Sequence, residues 1–327
     1  MVKQEKYLHV EKVPKGMRLP GITSGYRHMY LPWSYYLKSI VRLHNETVNV
    51  WSHLIGCLLL ILQMIYYYDI YDRDGSSVRW TLIGHGCCCL VTLFNSAVAH
   101  LLHSKSCYVN FLVFLFDYVG VVCWGFGTSI LAMYGVSDEN IYHALGPNFV
   151  IIQLVWTYVT YNFICLSKVW YGHDMEIKTR KLLVVFVIVI QAMSNLLPWL
   201  PRYWNCYTSE SCSMSSLNHI TITCVSFTLM TLAFLFHQPE KAYPGRFDIC
   251  GSSHQIFHVF VILTMSLQMR ALHVDHETRA NTHCQPSIYK LAAYIVALNV
   301  VCWLTILYYK RFAHRKFKQA DNNNKSE

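Results

Sequence analysis

The chain has 327 residues, of which 54% are apolar and 14% charged, and its formal net charge is +9. Soluble domains carry roughly 25% charged residues, so the composition excludes an ordinary soluble fold and points to a membrane protein. Lys and Arg cluster between and beside apolar runs. That sets aside a nucleic-acid surface and fits a polytopic chain meeting an anionic leaflet.

In chain order, residues 1–48 mix Lys, Pro and Gly with aromatics and hold no apolar run of the signal-peptide kind. Eight stretches long enough for spanning helices of ~20 residues follow, near 50–69, 80–102, 108–134, 143–166, 182–200, 216–236, 254–272 and 290–309. The predicted fold class is all-α: a polytopic membrane helical bundle, with a seven-helix core plus a C-terminal eighth transmembrane helix. The predicted organisation is a cytoplasmic N-terminal segment (1–48), an eight-helix transmembrane domain (49–309) and a cytoplasmic tail (310–327). The tail is basic and then Asn-rich, which reads as disordered. The connections leave no room for a folded soluble domain, and no internal repeat supports an inverted-repeat transporter.

Charge sets an orientation. With the N-terminus in the cytoplasm, that side carries 21 Lys and Arg and the other side 6; without an eighth span the split would be 15 to 12. The positive-inside rule therefore favours eight spans and cytoplasmic termini. The sequons at Asn45 and Asn324 then face the cytoplasm and are expected to stay unglycosylated. Cys206, Cys212 and Cys284 fall in outer loops, where a disulfide can form, with the pairing open. Cys87, Cys88 and Cys89 read as small packing residues inside the second span.

Ionisable groups inside apolar spans are costly and usually face a protein interior. Here they are His100 with Asp117, and His254 with His258. His254 and His258, at i and i+4, share one helix face. In the predicted orientation His100 ends the second span and the other two begin the seventh, so all three lie near the cytoplasmic face. Three imidazoles are the set that a catalytic-type zinc takes before water fills its fourth position. Asp117 is ~15 Å into the third span at 1.5 Å per residue. That is deeper than the histidines, so it is expected to reach a metal through water. Ser96 lies one turn deeper than His100 on the same face.

Against this, the chain has 17 histidines. His53, His85, His103, His143 and His219 also lie within or beside spans, and a single such histidine is more often an interfacial or helix-bonding residue. Periodicity alone does not choose between His100 and His103. At the start of the first span, Glu46, Asn49 and His53 share a face that would support a metal site; the competing reading is a helix cap by Asn45 or Thr47 with Trp51 at the interface. Gln191 and Asn195 either bond neighbouring helices or orient the polar end of an apolar ligand. Residues 239–248, with Pro239, Pro244 and Gly245, read as an ordered turn delivering the seventh span to the site.

These pieces together resemble the progestin and adipoQ receptor family. The matching segments are Asn45 to His53, Ser96 to His100, Asp117 to Gly120 and Ser253 to His258, with the family's 17-residue step from His100 to Asp117. That step favours His100 over His103. The stretch 99–106, the 239–248 turn and the eighth span are similar to the membrane progestin receptor subgroup; Gly25-Tyr26-Arg27 is similar to a Golgi-resident member.

The resemblance implies Zn2+ held by His100, His254 and His258, with Asp117 (through water) and Ser96 in support. It also implies a steroid-responsive, progestin-type receptor at the plasma membrane that signals through G proteins, with a Golgi or other internal membrane as the alternative location. Relatives with the same residues resemble ceramidases. The alternative function is thus a zinc-dependent lipid amide hydrolase in which Asp117 handles the attacking water and Ser96 the oxyanion.

Overall fold

The structure is a computed structural model that describes residues 6–171, 177–279 and 283–323. It is all-helical apart from turns and one isolated bridge between Leu8 and Tyr26. A short helix, α1 (Trp33–Lys38), precedes the bundle of α2 (Thr47–Arg73), α3 (Val78–Leu102), α4 (Cys107–Tyr134), α5 (Glu139–Tyr171) and α6 (Ile177–Ser194). After them come a nine-residue helix α7 (Leu200–Thr208), then α8 (Asn218–Phe236), α9 (Ser253–Thr278) and α10 (Ile288–Asn323). Among the described residues seven helices are long and apolar enough to cross a membrane, and α6 contributes a shorter apolar stretch, Leu182–Ser194. The bundle therefore has the polytopic character expected from sequence.

The central helix is α3, and small residues let α4 lie against it. A Cβ on Gly120 would sit 2.7 Å from the Thr92 Cα, and one on Gly127 would sit 2.6 Å from the Cys88 Cβ. Close approach through Gly, Ser, Thr and Cys is how membrane helices pack without a hydrophobic drive. Cys88 and Cys89 are fully buried there, as packing residues should be. The Thr92 hydroxyl donates to the Gly120 carbonyl at 2.7 Å. Gly120→Ala is expected to lower stability by about 1–3 kcal/mol, the usual range for overpacking, read as a lower thermal unfolding midpoint; an unchanged midpoint would show that the two backbones separate freely.

Three elements differ from expectation for identifiable reasons. The fifth span was expected to run to residue 200, yet α6 stops at Ser194 and the chain turns before α7. Pro198 disfavours helix in the residue before it and lacks an amide, while Pro201 suits the first turn of α7. In α5, Gly146 (φ +42°) breaks the helix ahead of Pro147, so the span proper follows the proline. The tail from Lys310, expected to be disordered, continues α10 as helix to Asn323. Ala313 and Phe317, at i and i+4, stay buried, and the Phe317 ring lies 5.2 Å from that of Phe111. The apolar stripe outlasts the apolar composition. Asn324 lies outside the described residues, whereas Asn45 is buried.

The N-terminal segment closes one end of the bundle. Buried Arg27 donates to the carbonyls of His100 (2.7 Å) and Leu101 (2.5 Å), the free acceptors at the end of α3. Asp248 accepts from the Thr23 amide and from the hydroxyls of Thr23 and Ser24. The end of α10 reaches the same end of the molecule through Phe317. At the opposite end Cys206 and Cys212 form a disulfide, and Cys284 is a free, exposed thiol.

Candidate metal centre and its cavity

The end of α3 and the start of α9 bring His100, His254 and His258 together: one ring nitrogen of each lies within 4.8 Å of the others. His254 Nε2 and His100 Nε2 are 3.2 Å apart. Two nitrogens bound at 2.0–2.1 Å on a tetrahedral ion lie about 3.3–3.4 Å apart. The outward nitrogens of His100 and His258 are engaged. His100 Nδ1 is 2.7 Å from Glu46 Oε2, and His258 Nδ1 is 3.2 Å from both the Asn49 carbonyl and Ser52 Oγ. Outward nitrogens held by a carboxylate and a carbonyl, with the inner ones converging, are the arrangement metal-binding histidines take. The donor set therefore fits a zinc ion.

Glu46 organises the rest. The residue is buried, and its Oε2 also accepts from Asn49 Nδ2 at 2.6 Å. Its Oε1 lies 3.3 Å from His103 Nε2. Burial pushes this carboxyl up, but His103 and His100 together hold it well below the usual carboxylate range. A buried anion thus stands behind the histidines. His53 stacks on His258 with ring centroids 3.7 Å apart, and neither of its ring nitrogens has a hydrogen-bond partner. The face of Glu46, Asn49 and His53 read from periodicity does lie against the histidines. The competing cap is not formed by Thr47, whose hydroxyl accepts from the His44 amide and donates to the Arg42 carbonyl. Trp51 donates to the Ile40 carbonyl.

His103 takes a different place from His100. Its Nδ1 is 3.2 Å from Asn110 Nδ2, and its other nitrogen faces Glu46, away from His254 and His258. Asp117 is not among the side chains whose donor atoms meet within 4.8 Å. It faces Ser96, with His100 and the Lys168 ammonium as neighbours. Gln191 and Asn195 bond neighbouring helices: Gln191 donates to Thr157 on α5, and Asn195 accepts from Ser129 on α4.

A cavity of about 200 Å³ opens onto His100, His254 and Asp117. Phe111, Phe114 and Tyr118 of α4 line it, and residues 16–20 of the N-terminal segment border it. The buried Lys168 of α5 sets its ammonium 4.6 Å from the Phe114 ring and 5.3 Å from that of Tyr118. A cation over ring faces is attracted by their quadrupoles. The turn before α9 is fixed by Glu240, which accepts from the Ser253 amide (2.7 Å) and hydroxyl (2.5 Å), one residue before His254. Sequence reading missed Lys168, and placed Glu240 in an ordered turn without its bonds to Ser253. The rings beside Lys168 are 54 and 50 positions away, and Glu240 precedes Ser253 by 13 residues, too far for a local capping pattern.

The haemolysin-III-related family matches residues 41–269, which run from before α2 into α9. Curated relatives include membrane progestin receptor alpha-B of Danio rerio, 28% identical over 83% of this chain and 76% of its own length. Membrane progestin receptor beta of Sus scrofa is 29% identical over 85% of this chain and 79% of its own. Membrane progestin receptor gamma-A of Danio rerio is 26% identical over 94% of each. With seven long apolar helices as well, the chain belongs to the haemolysin-III-related, or progestin and adipoQ receptor, family and is a multi-pass membrane protein whose curated relatives are membrane progestin receptors.

Proposed function

We propose that this protein is a membrane receptor for a progestin-like steroid, built around a zinc ion held by His100, His254 and His258, with Asp117 engaged through water. The observation that carries the metal is the convergence of three ring nitrogens, with the opposite nitrogens of His100 and His258 already held by Glu46, Asn49 and Ser52. The steroid follows from the names of the relatives and from a mostly apolar cavity beside the histidines, with Phe111, Phe114 and Tyr118 in its wall. Ligand seated there contacts α3, α4 and α9 together, so it biases their relative positions and shifts the bundle toward a signalling state. G proteins on the cytoplasmic side, the plasma membrane as location and cytoplasmic termini complete the reading; the 21-to-6 division of basic residues supports the orientation.

The test combines metal analysis of purified protein with saturation binding of labelled progesterone, on wild type and His254→Ala. Wild type should hold about one zinc per chain, as a single three-histidine site implies. The variant should lose metal and unfold at lower temperature, because α9 loses its tie to α3. Full occupancy in a His254→Ala/His258→Ala double variant would remove the site, and absence of saturable progesterone binding would remove the steroid.

One observation favours a second reading, a lipid amide hydrolase: the cavity exposes Asp117 beside His100 and His254. A zinc ion bound there would supply a water of near-neutral pKa. In this reading Asp117 would hold or accept a proton from that water, and Ser96 would donate to a developing oxyanion. Asp117→Asn should then abolish fatty-acid release from ceramide while zinc remains bound. Equal turnover in that variant would exclude Asp117 from the chemistry.

A further inference from the structure

The N-terminal segment carries an apolar face that none of the described residues covers. Trp33 and Leu37, at i and i+4 on α1, are 49% and 55% exposed, and Val41 and Leu43 beyond it are 79% and 67% exposed. The opposite side of the same segment is anchored. Tyr36 is fully buried and donates to the His28 carbonyl, while Ser39 accepts from Arg27. The apolar face is therefore held outward by fixed contacts on its other side.

Two observations say what covers it. The face runs on into exposed apolar side chains of α2, a membrane-spanning helix, through Trp51, Ile55, Leu58 and Leu59, and Trp51 joins the two by its bond to Ile40. In addition, residues 12–45 contain six Lys or Arg and no Asp or Glu. Lys38 and Arg42 are exposed next to the apolar face, and the Lys105 ammonium lies 4.7 Å over the Trp33 ring. Apolar and aromatic residues on one side with basic residues beside them describe a segment lying in a bilayer interface, with the cations toward anionic headgroups.

We propose that residues 33–43 lie in the plane of the bilayer, with Trp33, Leu37, Val41 and Leu43 among the first carbons of an anionic leaflet and Lys38 and Arg42 at its headgroups. This lipid contact is wired to the histidines. Arg27 bonds Ser39 at one end and the His100 carbonyl at the other, and His44 Nε2 lies 3.2 Å from the Ser39 carbonyl. Leaflet composition thereby bears on the part of the chain that holds α3 against the site. The inference concerns lipid contact alone, so it stands or falls separately from the steroid and zinc readings.

The experiment uses full-length protein in nanodiscs of phosphatidylcholine with or without phosphatidylserine, and compares tryptophan fluorescence of wild type with Trp33→Phe. The difference isolates Trp33. In discs whose lipids are brominated near the headgroup end of the acyl chain this component should be quenched, and aqueous acrylamide should leave it largely intact. Quenching by acrylamide but not by bromolipid would place the segment in water. Protection from both would mean that a second copy or another part of the protein covers it. Either result overturns the proposal. Phosphatidylserine should deepen bromolipid quenching in wild type and not in Lys38→Glu/Arg42→Glu; equal quenching with and without it in wild type would overturn the anionic requirement.

Discussion

Asp275→Ala is expected to destabilise the protein by about 3–5 kcal/mol, the cost of removing one partner of a buried ion pair. Asp275 is 2% exposed near the end of α9 opposite the histidines. Its carboxylate accepts from Arg202 of α7 at 2.5 and 3.0 Å and lies 3.0 Å from His219 Nε2 of α8; Arg279 adds a longer contact at 3.4 Å. Arg202 and Arg279 also donate to the carbonyls of Val136 and Ser137, between α4 and α5. One carboxylate thus stands among the groups that join α7, α8, the end of α9 and the α4–α5 connection. Its loss leaves two guanidiniums crowded together with no anion between them. Thermal unfolding in nanodiscs measures the effect, and Asp275→Asn should lie between wild type and alanine because it keeps an acceptor without the charge. A midpoint for Asp275→Ala within one degree of wild type would show that water replaces the carboxylate at no cost. Metal content in the folded fraction should not change, since the histidines sit at the other end of α9.

The spans were legible because each needs about twenty apolar residues whatever its neighbours do. Termini of helices were less so. Pro198 sits inside an apolar run, and apolar composition alone carries the reading through it to residue 200. The tail failed in the opposite sense: its charges hide the Ala313 and Phe317 stripe that lets α10 continue against α4. At the site, the i,i+4 pair of His254 and His258 and their depth in common with His100 were readable from helix geometry. Which of His100 and His103 turns inward was not, because three positions on a helix differ by less than the uncertainty in how that helix is rotated. The structure separates them by their partners, His254 for one and Asn110 with Glu46 for the other. Arg27 shows where sequence reading stops. A basic residue ahead of the first span counts toward orientation, and nothing local reveals that it satisfies the carbonyls ending a helix 73 residues on.

Glu46→Gln is expected to weaken zinc binding by about 10–100-fold, the usual effect of losing the group behind a metal-bound histidine. The carboxylate does two things for His100. It accepts from Nδ1, which fixes the tautomer that leaves Nε2 facing His254, and its buried negative charge favours a cation a few ångströms beyond. Glutamine keeps the shape and one acceptor but removes the charge, and its amide meets the His100 or His103 nitrogen donor to donor. Competition with a chelator of known affinity measures the loss on protein that remains folded, which separates affinity from stability. His103→Gln is the matched control. It touches the same carboxylate from the other side, lies outside the three converging nitrogens and should alter affinity far less. If Glu46→Gln binds zinc as tightly as wild type, the carboxylate serves only to tie α2 to α3. If His103→Gln causes the larger loss, His103 takes the ligand position assigned to His100.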